Sequence, residues 1–201
     1  MKKLFLLLFL SISIMASGQF NSGGIYWTGT TGLGTGLERQ IDDYPINIFN
    51  FSLHPEVGYF IKNKIAIGAG IHTEFGLPFG SNVDLYAATY DMYIGPNVRY
   101  YIPRASDFQL YVYGNLQYGA YQRSLDYFEA EYNRHQYYGF QVGPGINYFF
   151  TERIALDARA NFRFRHAWNA AMGGNHDLIG VVFEFGFSVF FPSISFFDMT
   201  N

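Results

Sequence analysis

Cysteine is absent from all 201 residues. That excludes disulfides, thiolate metal sites and a lipid anchor on an N-terminal cysteine. Charge is also scarce. Charged residues make up 14% of the chain, against ~25% in soluble domains, which leaves little polar material to cover a water-facing surface. Beyond Met15 no stretch approaches the roughly 20 consecutive apolar residues of a spanning helix. Nor is there a basic excess. The formal charge is −3, and losing Lys2 and Lys3 takes it to about −5, so no nucleic-acid surface is indicated. No glycine-rich loop leads into a helix and no heptad repeat occurs, so phosphate binding and helical partners find no support.

What the chain does have is apolar and aromatic material, 49% hydrophobic and 20% aromatic. It opens with Lys2 and Lys3, an apolar run from Leu4 to Met15, and the small residues Ala16, Ser17 and Gly18. That is the pattern of a secretory signal cut before Gln19. The expected organisation is a signal peptide over 1–18 and one domain over 19–201.

After Gln19 the hydrophobic pattern has a period of two, in eight successive segments. Between Arg153 and Arg165, Ile154, Leu156, Ala158, Ala160, Phe162 and Phe164 fall on one face. Asp157, Arg159, Asn161, Arg163 and Arg165 fall on the other. Strands are predicted near Gly24–Leu33, Ile48–Ile61, Lys64–Phe75, Ala88–Ile102, Phe108–Tyr121, Tyr137–Phe150, Arg153–Arg165 and Ile179–Phe191. Most exceed the ~9–11 residues that cross a bilayer at a tilt. Short turns at Lys62-Asn63, Pro103 to Asp107 and Thr151-Glu152 alternate with longer polar stretches, Gly34 to Asn47, Gly76 to Ala87, Gln122 to Gln136 and His166 to Leu178. This is the order of short periplasmic turns and longer outer loops in bacterial barrels. The predicted fold is all-β: a transmembrane antiparallel up-and-down β-barrel of eight strands.

A repeat marks the hairpin as the unit. Pro55 to Phe60, Pro96 to Tyr101 and Pro144 to Phe149 share the pattern Pro, any, Val or Ile, any, Tyr, aromatic, each just before a short turn. The aromatic pairs are expected to collect at one bilayer interface. Each proline, which deletes a ladder donor, is expected to mark a local bulge or bend.

If the apolar face meets lipid, the lumen receives His54, Glu56, His72, Glu74, Asp91, Arg99, Asp157, Arg159, Arg163, Arg165 and Glu184. Tyr93, Tyr111, Tyr113, Asn115, Gln117, Gln141 and Asn147 join them. Eight strands enclose only enough room for side chains, so a closed, salt-bridged interior is expected. Gly139, Gly143 and Gly145 should leave space for the rings of Tyr111 and Tyr113, within a wall that the same glycines help to curve.

The order of these hairpins resembles a known family. Ser52 to Ile61 followed by Lys64-Ile65-Ala66-Ile67-Gly68 resembles a hairpin of the small outer-membrane β-barrel domain common in Bacteroidetes, among the porin-like, OmpA-like and OmpW-like eight-stranded barrels. Gly95 to Tyr101 and Gly143-Pro144-Gly145 look like its later hairpins. The last strand looks like a barrel-assembly signal, with polar Glu184, then Gly186, Val189 and Phe191, although a tail from Pro192 to Asn201 follows. The resemblance implies export through the periplasm to the cell outer membrane, contact with outer-membrane lipid, and handling by the barrel-assembly machinery.

Chemical constellations are sparse. Ser52, His54 and Glu56 alternate on one strand, but side chains two apart start about 6.5–7 Å apart, which is awkward for a nucleophile and its base. His54, Glu56, His72 and Glu74 have the donor types of a small zinc site, yet inward polar residues that pair with the arginines explain them equally. No catalytic residue, metal or cofactor is assigned. His135, His166 and His176 are expected near solvent, and Trp168, Tyr127, Phe128 and Tyr132 to pack loops on the rim.

The leading functional expectation is a non-enzymatic integral outer-membrane protein with a structural or interaction role, and an unidentified partner, at its outer loops. The alternatives are a narrow channel or transporter of small or hydrophobic molecules, and a lipid-modifying enzyme. A soluble carrier is the structural competitor, and it would reverse the two faces.

Overall fold

The structure is a computed structural model that describes residues 22–39, 46–79, 89–102, 107–123, 133–169 and 174–192. The proposed signal peptide and its cleavage site, the loop aromatics Tyr127, Phe128 and Tyr132, and the tail beyond Pro192 lie outside these residues. Eight strands follow one another in order: β1 (Ile25–Arg39), β2 (Ile46–Lys62), β3 (Ile65–Phe79), β4 (Thr89–Tyr101), β5 (Phe108–Arg123), β6 (Asn133–Phe149), β7 (Ile154–Asn169) and β8 (Gly174–Phe191). Each pairs antiparallel with the next, and β8 pairs with β1, so the sheet closes on itself.

The register fixes the barrel's dimensions. Ile25 pairs with Tyr59, Tyr59 with Ile67, Ile67 with Val98 and Val98 with Gly114. Gly114 then pairs with Val142, Val142 with Phe162, Phe162 with Val181, and Val181 with Thr35 on β1. One circuit from Ile25 thus returns to Thr35, a stagger of ten residues. With ~3.3 Å per residue and ~4.8 Å between strands, eight strands so staggered tilt about 40° and enclose a radius of about 8 Å.

Period two does the rest. The outward faces of the strands are apolar, with Phe51, Ile71, Met92, Leu116, Phe140, Phe162 and Phe185 among the exposed side chains, while His54, Glu56, His72, Glu74, Asp91, Arg99, Asp157, Arg159, Arg163, Arg165 and Glu184 are buried inside. This is the reverse of a soluble protein and removes the soluble-carrier alternative. Outward aromatics form two girdles, seen at Tyr90 and Tyr100 on β4, Phe108 and Tyr118 on β5, and Tyr138 and Tyr148 on β6. Each pair is ten residues apart, ~33 Å along the strand and ~25 Å along the barrel axis, the height of the apolar band in outer-membrane barrels. Because the chain has no cysteine, single-cysteine variants report this facing directly. In membrane-inserted protein, a lipid-soluble thiol probe is expected to label Phe162→Cys and to spare Arg163→Cys. The opposite pattern would refute the facing.

The strands run further outward than the hydrophobic pattern indicates. β1 continues to Arg39, β3 to Phe79 and β7 to Asn169, and β6 begins at Asn133. Half of what reads as long loops is therefore paired strand. Connections at the outer end span six, nine, nine and four residues between strand ends, against two, six and four at the inner end. Above the outer girdle polar residues such as Gln122 and Gln136 take outward positions, so the apolar-out alternation lapses while backbone pairing goes on.

The three prolines do not produce register shifts. Pro55, Pro96 and Pro144 each leave a two-residue gap in one ladder, to β3, β5 and β7 respectively, and the register resumes unchanged beyond it. The other ladder of each proline stays paired, at Gly29, Ala69 and Val112. Proline lacks one N–H, so only one neighbour loses a bond. All three gaps lie inside hairpins closed by the inner turns. At two of them the preceding glycine lets the facing strand come in close: a Cβ on Gly95 would stand 1.7 Å from the Leu116 carbonyl oxygen, and one on Gly143 1.9 Å from that of Ala160. The sole register shift at the inner turns of β2 and β3 falls between Phe60 and Lys62. It adjoins Lys64, whose φ of 71° puts a lysine where a hairpin usually carries glycine.

The aromatic pairs of the repeat divide between two environments. Tyr59, Tyr100 and Tyr148 face outward at the inner girdle, whereas Phe60 and Tyr101 are fully buried in the lumen and Phe149 packs against them. Successive residues point to opposite faces, so only one ring of each pair can reach the interface.

Candidate functional site

The lumen is the only place where chemistry-bearing residues converge among the described residues, and it has two levels. At the inner end Tyr26, Phe60, Tyr101, Tyr111 and Phe190 form an aromatic plug. Phe60 meets Tyr26 edge-on at 6.1 Å between centroids and lies 5.6 Å from Tyr101 and 6.5 Å from Phe190. Bare backbone makes room for two of these rings. A Cβ on Gly145 would stand 2.2 Å from Tyr111, and one on Gly58 2.1 Å from Tyr26. Of the three glycines expected to accommodate rings, only Gly145 does so. Gly139 and Gly143 instead admit the β7 backbone, with the Phe164 and Ala160 carbonyls in the way of any Cβ.

Above the plug lies a charged lattice. Arg99 donates to Asp157 at 2.9 Å and to Glu56 at 2.7 Å. Its guanidinium carbon sits 4.5 Å from the Tyr26 ring and 5.1 Å from the Tyr111 ring. Asp157 also accepts from Tyr111 at 2.5 Å, Ser188 at 2.7 Å and Asn147 at 3.1 Å. Arg159 is the second hub. Its Nε donates to Glu184 at 2.7 Å, and its Nη1 is ion-paired with Glu56 at 2.7 Å without lying along an N–H direction. Tyr113 donates to Glu56 at 2.9 Å and Asn161 to Glu184 at 2.8 Å. Further out, Arg163 pairs with Glu74, and Arg165 with Asp91 and Gln117. Tyr137 donates to Asp91 at 2.5 Å.

All eleven charged and histidine positions expected in the lumen are buried there. Sequence reading left out the plug residues Tyr26, Phe60, Tyr101 and Phe190, and the small polar set Thr28, Thr30, Asn97 and Ser188. Parity with Glu56, Arg99 and Glu184 on the same strand was the available signal for Phe60, Tyr101, Phe190, Asn97 and Ser188, whereas β1 has no charged residue before Glu38 to mark Tyr26, Thr28 and Thr30. In β8, Glu184 faces in, while Phe191 faces out at the inner girdle.

The histidines and serine do not form a hydrolytic set. Ser52 Oγ makes no hydrogen bond, and His54 Nδ1 lies 3.0 Å from Glu184 and 2.9 Å from Arg159 Nη2. His54, His72 and Glu184 bring possible ligand atoms within 4.8 Å of one another. The fit for a metal is poor, because the Arg159 Nη2 lies among them, also 3.1 Å from Glu184 Oε1 and 3.1 Å from Thr30. The guanidinium supplies the positive charge an ion would bring. Glu74 and His72 bond each other at 3.1 Å. Near the outer end His166 pairs with Asp177 at 2.7 Å, His135 stacks on Tyr121 at 4.8 Å, and Trp168 packs on Tyr138 at 5.7 Å. Only the backbone of His176 is described, paired with Ala167.

Solved structures of the same architecture are numerous. The chain resembles OprG from Pseudomonas aeruginosa at 12% identity, with a TM-score of 0.55, over 87% of this chain and 99% of that one. It resembles Neisserial surface protein A at 15% identity, with a TM-score of 0.57, over 84% and 99%. Ail, the attachment invasion locus protein of Yersinia pestis, gives 12% identity and a TM-score of 0.52 over 85% and 99%. At these identities the likeness shows the fold alone. No curated protein matches the chain. Residues 4–191 match the family described as the outer membrane protein beta-barrel domain. With eight strands closed on themselves, a lipid-facing apolar wall between two aromatic girdles and that match over most of its length, the chain belongs to the outer membrane protein beta-barrel domain family and resides in the outer membrane.

Proposed function

We propose that this outer-membrane protein is a non-conducting, non-enzymatic barrel that serves as a rigid mount for an interaction made at its outer end. One observation carries the reading: the lumen is filled at two levels, by the Tyr26, Phe60, Tyr101 and Phe190 plug and by the Arg99 and Arg159 lattice above it. Buried, mutually paired charges leave no continuous wet path. The outward prolongation of the strands supports the second half of the proposal. β6 starts five residues beyond the girdle residue Tyr138, which lifts its end ~13 Å above the membrane at the barrel's tilt. Such stiff stalks suit presentation of connecting segments to a partner. Insertion by the barrel-assembly machinery, read from the Glu184, Gly186, Val189 and Phe191 pattern, is part of the same proposal.

The test is electrical. Reconstituted in planar bilayers, the purified protein is expected to show no stepwise conductance at moderate voltage. Reproducible ohmic steps would overturn the closed-mount reading and favour the narrow channel.

A further inference from the structure

The outer wall is not smooth. A depression of about 580 Å³ opens on its lipid-facing side across β3 to β6, within the ~300–1,000 Å³ range of clefts that hold ligands. Its floor is Ala120, a small side chain hemmed in by larger ones. On β5 it lies between Tyr118 and Gln122, and across the sheet it pairs with Met92 on one side and Gln136 on the other.

Strand position places the two halves of this depression at different depths. Ile71 and Ile94 each lie four residues on the membrane side of the outer-girdle residues of their strands, Phe75 and Tyr90. Gln122 pairs across the sheet with the outer-girdle residue Tyr90, and Gln136 lies two residues on the water side of Tyr138, so both stand close to the girdle. The lower half is therefore apolar and inside the hydrocarbon of the outer leaflet. The upper edge carries two carboxamides at the height where acyl chains join their headgroups. A carboxamide both donates and accepts, which matches amide, ester and hydroxyl groups at that junction. Met92 and Ile94 are about half exposed along one side, and Tyr118 stands at the girdle.

We infer that this depression is a specific site for one lipid of the outer leaflet, with an acyl chain lying over Ala120 between Met92, Ile94 and Tyr118 and its amide- or ester-bearing junction held by Gln122 and Gln136. The occupant belongs to the class that fills the outer leaflet of such membranes, acyl chains joined to a sugar by both amide and ester bonds. The location decides this. The cleft is continuous with the lipid-facing wall, so whatever fills it arrives through the membrane, and its polar edge lies on the outer side. The site is independent of any activity of the outer connections.

Native mass spectrometry of protein extracted from outer membranes in mild detergent tests the inference. The wild type is expected to carry one acylated sugar lipid. Ala120→Trp, which fills the floor, should cut the bound fraction at least tenfold. Val142→Trp, at another lipid-facing position on β6, should leave it unchanged. The double variant Gln122→Leu and Gln136→Leu keeps the depression open and should also lose the sugar lipid, which preserves the test if Ala120→Trp fails to fold. Equal retention in the filled variant, a glycerophospholipid as the sole bound species, or no bound lipid in the wild type would each overturn the site.

Discussion

Arg159→Met is expected to destabilise the barrel by about 3–5 kcal/mol, the usual cost of leaving a buried charge without its partner. The residue ties its own strand to three others. From β7 it reaches Glu184 on β8 and Glu56 on β2, with a further bond to Thr30 on β1. Glu56 keeps Arg99 at 2.7 Å when Arg159 is gone, whereas Glu184 keeps only Asn161 and the His54 ring. Most of the loss should therefore be traced to Glu184. Adding Glu184→Gln to Arg159→Met is expected to recover part of it, because the orphaned charge disappears. Arg159→Lys should rescue poorly, since one ammonium replaces a fork that spans two carboxylates. Urea-dependent unfolding in lipid vesicles reads all four proteins. A cost below about 1 kcal/mol for Arg159→Met would mean that water solvates the lattice, as it does exposed pairs, and that the lumen is not sealed.

Phe60→Ala is expected to cost a similar ~3–5 kcal/mol, the range for truncating a fully buried phenylalanine. The ring is at the centre of the plug, against Tyr26, Tyr101 and Phe190. The variant separates the roles of the two levels. With the plug loosened, the Arg99 and Arg159 layer still bridges Glu56, Asp157 and Glu184, so bilayer recordings should stay silent even as the unfolding midpoint falls. Ion conduction through Phe60→Ala alone would show that the aromatic level, and not the ionic one, is the seal. An unchanged midpoint would show that the plug is not packed.

The sequence made the wall legible and the lumen half so. Strand number, facing and the eleven charged or histidine lumen positions follow from one rule, that neighbours in a strand point oppositely. That rule worked best where polarity contrast is greatest, as between Phe162 and Arg163. It failed at Phe60, Tyr101 and Phe190, because an aromatic carries no label for lipid or lumen and only its parity with a charged neighbour settles the matter. The outer strand ends were missed for a different reason. Beyond the outer girdle polar residues such as Gln122 and Gln136 stand on the outward face while Tyr121 and Tyr137 fill the inner one, so no apolar-out alternation survives to announce the pairing. The prolines were read correctly as missing donors, but the damage is spread over two residues of one ladder rather than concentrated in a bulge, and nothing local distinguishes these outcomes. Which arginine meets which carboxylate is set by the stagger of ten residues around the barrel, a property of the closed circuit that no single segment contains.

That circuit has an electrical side as well. The β2–β3 hairpin turns Glu56 and Glu74 inward and no arginine or lysine, while β6–β7, half a circumference away, turns Arg159, Arg163 and Arg165 inward against a single Asp157. Laid open as a flat ribbon, the sheet would carry an acidic hairpin and a basic hairpin on the same face, too far apart to touch. Curling is what brings them within reach, and the water they shed on meeting is shed only then. Arg159 and Glu184 face each other on β7 and β8 and can pair in that hairpin alone. The pairs that cross the lumen, Arg159 with Glu56 and Arg163 with Glu74, reward only the completed ring, so the charges that make the interior expensive also make a half-closed barrel a poor place to stop.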